Sequence, residues 1–196
     1  PPEMTHIPEE YNGAPDPLDP KSAYGQGKRL AEHLCSLYAD SNLEIKIARC
    51  FAFVGPYLPL DIHFAIGNFI RDGLKGGPIV VQGDGTPYRS YLYAADLAIW
   101  LWTILLRGES LHPYNVGSED AHPIADIAKQ VAEQFRPSIR GEIRNPPDPL
   151  KPISRYVPKT QYAQTSLSLS QTIQLGSAIA RTIQWHQNKD STKQPL

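Results

Sequence analysis

Residues 43–53, LEIKIARCFAF, form a β-prone run that is apolar on both faces. Such a run suits a strand buried between two layers, and strands of that kind belong to parallel sheets covered by helices. Gly55-Pro56 ends it. A helix should precede it, with Ser22 as N-cap, Leu30, Leu34 and Leu37 on one face, and an end near residues 40–42. Downstream, residues 64–75 read as a second helix, weakened by Gly67 and Gly73. Residues 78–82 and 88–93 read as two strands around the tight turn Gly83-Asp84-Gly85. Residues 94–106 read as a helix apolar on nearly every side and therefore buried, Trp100 and Trp102 included. A short strand at 113–116 follows. Then comes an amphipathic helix over 123–135, with Ile124, Ile127, Ala128, Val131 and Phe135 on one face and Pro123 in its first turn. A proline-rich loop covers 145–158, a last helix runs over about 172–187, and the tail after Asn188 is expected to fray. Strands alternating with helices place the chain in the α/β class.

Composition narrows the function. Nineteen basic against twenty acidic residues leave a net charge of −1. That balance argues against nucleic acid or an anionic membrane as the main partner. The longest apolar stretch, residues 97–106, is far short of the roughly 20 residues a bilayer span needs. Two cysteines, Cys35 and Cys50, cannot build a disulfide framework; they read as buried apolar residues in a reducing compartment. No leader pattern is visible, so a cytoplasmic location is expected. The six histidines show no metal-ligand spacing, and no metal is called for.

Tyr24 and Lys28 form a YxxxK pair, which on a helix puts both side chains on one face a turn apart. A phenol is a poor acid or base at neutral pH, and a neighbouring ammonium favours its phenolate form. The pair therefore suits proton transfer, although by itself it also reads as an ordinary surface pair. Four further motifs follow in order: ARCFAFVGP, FIRDGLKGGPIVVQGDGTPYRS, YLYAADLA and YNVGS. With YGQGKRLAEHL at their head, they resemble the extended short-chain dehydrogenase/reductase family over about residues 22–186. More narrowly, they resemble its NAD(P)-dependent nucleotide-sugar epimerases, dehydratases and 4-ketoreductases, nearest in wording to those acting on deoxyhexose nucleotides.

The resemblance implies the C-terminal part of a Rossmann-type, doubly wound parallel sheet (α/β) plus a smaller α/β substrate-binding lobe. Residues 1–56 would close the dinucleotide-binding domain and 57–188 would form the lobe. Segment 94–117 would pack back on the Rossmann part, and 189–196 would be a tail. Tyr24 would be the general acid/base at the sugar carbon where hydride is transferred, supported by Lys28, which also bonds the nicotinamide ribose. Cys50, Phe51 and Phe53 would line the NAD or NADP pocket, because ligands sit at the C-terminal ends of parallel strands. Arg89 would grip the diphosphate of a nucleotide-diphosphate sugar, a task for a bidentate guanidinium, with a surface arginine as the plain alternative. Ala52, which stands where the family has asparagine, would face the substrate, as would His63, Gln82 at the nucleobase and Arg155 at the diphosphate or ribose. Asp96 reads as structural. Dimerisation through the YxxxK helix would use Leu30, Leu34 and Leu37, unless that stripe packs within the monomer.

No strand–GxGxxG–helix unit occurs in these 196 residues, so nothing in them cradles a dinucleotide pyrophosphate. The expectation is a fragment that begins in a proline-rich active-site loop and neither binds NAD tightly nor turns over alone. The alternatives are a non-catalytic nucleotide-sugar-binding module and an NAD(P)-sensing regulatory one.

Overall fold

In the computed structural model, residues 4–13, 15–40, 42–62 and 64–191 are described. A 3-10 turn, Pro20–Ser22, leads into helix α1, Ala23–Tyr38. The cap differs from the expected one: Ser22 makes no side-chain cap bond, while the Asp19 carboxylate accepts from Lys21 N at 2.9 Å. Strand β1 is Ile47–Cys50, shorter than the apolar run that encodes it, and β2 is Phe53–Val54. Helix α2, Ala65–Leu74, buries Ile66, Phe69, Ile70 and Gly73, the i, i+3, i+4, i+7 face of an amphipathic helix. Gly73 is needed there, since a Cβ would meet the Phe135 ring at 2.3 Å.

The expected hairpin around Gly83-Asp84-Gly85 does not form. Asp84 instead accepts from Thr86 N at 2.9 Å and Thr86 Oγ1 at 2.8 Å, closing a local turn. Gly85 takes a positive φ of 76° against Ala125, where a side chain would be strained. The chain on either side then goes to different sheets. Strand β3, Ile79–Val81, pairs in parallel with a strand the sequence hid, β8, Gly141–Ile143. Strand β4, Tyr88–Arg89, is the centre of a three-stranded sheet between β7, His122–Pro123, and β9, Arg155–Tyr156. Strand β5, Leu92–Tyr93, pairs in parallel with β2. Strand β6, Pro113–Val116, falls at the expected place and pairs in parallel with β1.

Helix α3, Ala94–Arg107, corrects the expectation of burial all round. Only Asp96, Trp100 and Ile104 are buried, while Trp102 is 63% exposed in company with Ile99, Leu105 and Leu106. A uniformly apolar helix carries no pattern to say which face it will use. Helix α4, Ile124–Ala132, begins one residue late, with Pro123 at its N-cap and in β7 rather than in the first turn. Helix α5, Gln161–Leu167, was not foreseen, and α6, Leu175–Ser191, is helical beyond the expected fraying point; 192–196 lie outside the described residues.

Two cores result. The larger gathers α2, β3, α4 and α6, with Ile66, Ile70, Ile79, Ile127, Val131 and Ile179 at its centre. The smaller joins Leu92 of β5, Trp100 and Ile104 of α3, β6 and α5. Asp96 is structural, as expected. Its buried carboxylate accepts from Thr172 N, Thr172 Oγ1 and Ile173 N at 3.1, 2.5 and 3.0 Å, fastening α3 to the approach of α6. The N-terminal loop is equally well tied. Ile7 bridges Pro158, and Glu9 is buried with its carboxylate accepting from Asn115 N. No helix among the described residues is long and apolar enough to cross a membrane.

Candidate active site

A cavity of about 480 Å³ opens between α2 and the β7-β4-β9 sheet. The loop between β1 and β2 gives it Phe51 and Ala52, and the turn after β3 gives it Gln82 and Gly83. The central sheet contributes Arg89 and Tyr156. Helix α2 adds Asn68, Arg71 and Asp72, which the sequence reading did not single out. Together with Phe64 they recur at i, i+4, i+7 and i+8, so a polar break in an otherwise apolar helix face was the available signal.

Ladder register decides which side chains enter. Arg89 pairs with Tyr156 on one side and His122 on the other, and directly opposed residues share a face of a sheet. Arg89 and Tyr156 both line the cavity. Arg155 pairs instead with Tyr88, and its guanidinium stacks on the Tyr88 ring at 3.8 Å. Arg155 is thus absent from the cavity lining, and its neighbour Tyr156, missed in the sequence, takes the place expected of it. Arg89 donates from Nη1 to Tyr88 O at 2.7 Å, and among the described residues no carboxylate pairs with it. Arg71, by contrast, is neutralised by Asp72 at 2.8 Å. Among the described residues that line the cavity, Arg89 is thus a cation with no carboxylate partner, a natural anion grip.

The Tyr24–Lys28 pair is outside the cavity lining. Tyr24 is 78% exposed on α1, and Lys28 Nζ lies 5.6 Å from its ring centroid. Partial burial pushes the Cys50 thiol up while the Lys28 charge pulls it down. Burial raises the Tyr156 phenol, Tyr24 and Cys50 add to that, and Arg89 opposes it. Tyr156 faces Arg89 across the β4–β9 ladder and lines the cavity with it. Its ring rests on Phe51, centroids 4.8 Å apart.

Other expected positions fall differently. Cys50 is exposed and Cys35 half-buried, so neither is a core residue. Phe51 sits in the cavity with the substrate residues, whereas Phe53 packs into the smaller core beside Leu92. Gln82 is exposed, and its carbonyl accepts from Asn145 Nδ2 at 2.9 Å. His63 lies outside the described residues.

The profile of the NAD dependent epimerase/dehydratase family matches residues 1–117. The chain belongs to that family. Within it, UDP-glucuronic acid decarboxylase 5 of Arabidopsis thaliana is 36% identical over 143 residues, which is 72% of this chain and 42% of the relative. UDP-glucuronic acid decarboxylase 1 of Danio rerio is 28% identical over 185 residues, 94% of this chain and 44% of that protein. Among solved structures, UDP-glucose 4-epimerase of Thermotoga maritima superposes with a TM-score of 0.80 at 18% identity, over 95% of this chain and 59% of that one. The NAD complex of dTDP-glucose 4,6-dehydratase from Bacillus anthracis gives 0.75 at 18%, over 96% and 58%. These establish the Rossmann-type epimerase/dehydratase fold. The chain spans less than half the length of those two curated relatives.

Proposed function

We propose that these residues form the nucleotide-sugar side of an NAD(P)-dependent enzyme that transfers hydride reversibly at a sugar carbon. Epimerisation, 4,6-dehydration, decarboxylation of a uronic acid and 4-keto reduction share that step. The observation that carries the reading is Arg89, without a carboxylate partner among the described residues, in an aromatic-walled cavity that also takes Phe51 and Ala52 from the end of β1. Arg89 holds the diphosphate, Ala52 and Gln82 border the substrate, and Tyr24 exchanges the proton at the reacting carbon, with Lys28 alongside. UDP-glucuronic acid decarboxylases head the curated relatives, which supports UDP-sugars as the first ligands to try.

The nicotinamide cofactor fits only in part. Tyr24, Lys28 and the backbone at Cys50 and Phe51 can meet its nicotinamide end, and when bound it supplies the hydride acceptor. Nothing in this sequence offers a glycine-rich cradle for its pyrophosphate. The same proposal includes homodimerisation through the exposed Leu30, Leu34 and Leu37 of α1, and a reducing, cytoplasmic setting consistent with two free thiols.

Isothermal titration of the 196-residue protein tests the division of labour. UDP-sugar binding is expected, with Arg89→Ala weakening it by roughly ten- to a hundredfold, the worth of a charge-assisted hydrogen bond. Micromolar NAD binding by the same protein would overturn the division. In the natural gene product, Tyr24→Phe should abolish turnover and spare nucleotide-sugar binding. A wild type that binds without turnover marks the non-catalytic module instead.

A further inference from the structure

We infer that Tyr156 is the sugar-positioning residue of the cavity, contacting the hexose of a nucleotide-diphosphate sugar whose diphosphate lies on Arg89. The inference rests on the nucleotide-sugar reading and adds to it a specific contact and a direction.

Position comes first. Tyr156 and Arg89 are direct partners in a parallel ladder, so their side chains leave the same sheet face about 5 Å apart. In a nucleotide-diphosphate sugar the hexose is bonded to the β-phosphate, so a group one rung from the diphosphate grip meets either the hexose or the ribose. The surroundings of Tyr156 choose between them. Its ring rests on Phe51, which directly follows Cys50 at the C-terminal end of β1, the strand end where the proposed function puts the nicotinamide and the reacting carbon. The rest of the lining, with Gln82, Gly83 and the polar residues of α2, is left for the nucleoside.

Chemistry agrees with position. The ring is held against Phe51 at 4.8 Å, so the hydroxyl is presented from a fixed platform. A phenol is protonated at neutral pH, and partial burial pushes this one further up, which makes it a donor to a sugar oxygen as well as an acceptor. Its flat face offers the C–H side of a pyranose an apolar surface. Arg155 next in sequence cannot substitute, because it points to the other face and is stacked on Tyr88. One residue of register thus decides whether the wall shows a phenol or a second cation.

The test is calorimetric titration of the 196-residue protein with UDP and with UDP-glucose as separate probes, for wild type, Tyr156→Phe and Tyr156→Ala. Wild type should bind UDP-glucose more tightly than UDP. Tyr156→Phe should lower UDP-glucose affinity by roughly three- to tenfold, one neutral hydrogen bond, with UDP unchanged. Tyr156→Ala should erase the remaining advantage of UDP-glucose over UDP; if that variant does not fold, Tyr156→Phe decides alone. A full sugar advantage in Tyr156→Phe overturns the assignment, as does equal weakening of both probes. Wild-type binding of UDP with no gain from the sugar overturns it too, leaving the Arg89 grip in place. Wild-type binding of neither probe removes the nucleotide-sugar reading together with it.

Discussion

Helix α2, which lines the candidate site, and helix α1, which carries Tyr24 and Lys28, are held by different physics. Helix α2 buries a complete apolar face against β3, α4 and α6, with Ile66 and Ile70 fully enclosed. Helix α1 has no buried residue at all and leaves Leu30, Leu34, Leu37 and Tyr38 open. It is fastened by polar ties instead. Glu32 takes both arms of Arg49 at 2.8 and 2.7 Å, Arg29 reaches the carbonyls of Asn12 and Gly13, and Gln26 donates to Pro15 O. The cavity wall formed by α2 therefore stands on a finished core, while the helix with the Tyr24–Lys28 pair keeps an open apolar face. That asymmetry accords with a chain that spans about half of its relatives.

Mutations should expose the contrast, beginning with the largest effect. Ile70→Ala removes a fully buried side chain from the α2 core and should cost about 2–5 kcal/mol in urea unfolding. A loss no greater than that of an α1 leucine would mean the two helices are alike after all. Asp96→Ala strips the buried acceptor from three bonds and should cost about 2–4 kcal/mol, leaving the donors at Thr172 and Ile173 without it. Hydrogen exchange should show that loss at the start of α6 and leave α1 unaffected.

A pH series sharpens the point at the cavity itself. Tyr91 lines it, is buried, and has its phenol pushed up to about 12 by that burial. Because the folded value lies above the unfolded one, the native state holds its proton longer. The associated stability, at most about 3 kcal/mol, is present below pH ~10 and lost as pH rises toward ~12. Tyr91→Phe should flatten that alkaline decline in unfolding free energy; an unchanged decline would assign it to other groups. The smallest effect belongs to α1. Leu34→Ala, at a position 44% exposed, should change stability by no more than about 0.5 kcal/mol. In sedimentation the same variant should weaken self-association if the stripe is a dimer contact.

The α/β class, α2, β3, β6 and the place of Arg89 were all legible in the sequence, because periodicity or a dense motif marked each one. The sheet that shapes the cavity was not. Strands β4, β7 and β9 are two residues each, too short for alternation to register, and their partners lie far apart in the chain. Tyr156 was lost for that reason: reading SRYVP without the ladder gives no means of choosing between Arg155 and Tyr156. Trp102 and Cys50 failed for another. Apolar character marks what can be buried, and only the packing of neighbours decides what is.

Ile7 and residues 157–159 are tied together by backbone bonds of 2.8 and 2.9 Å, and these two stretches are nearly the whole chain apart. One end of that clasp is the strand that presents Tyr156; the other is the loop that runs on into the helix carrying Tyr24. The cavity wall and the approach to the helix of Tyr24 and Lys28 thus share one backbone anchor, although they come from distant parts of the chain.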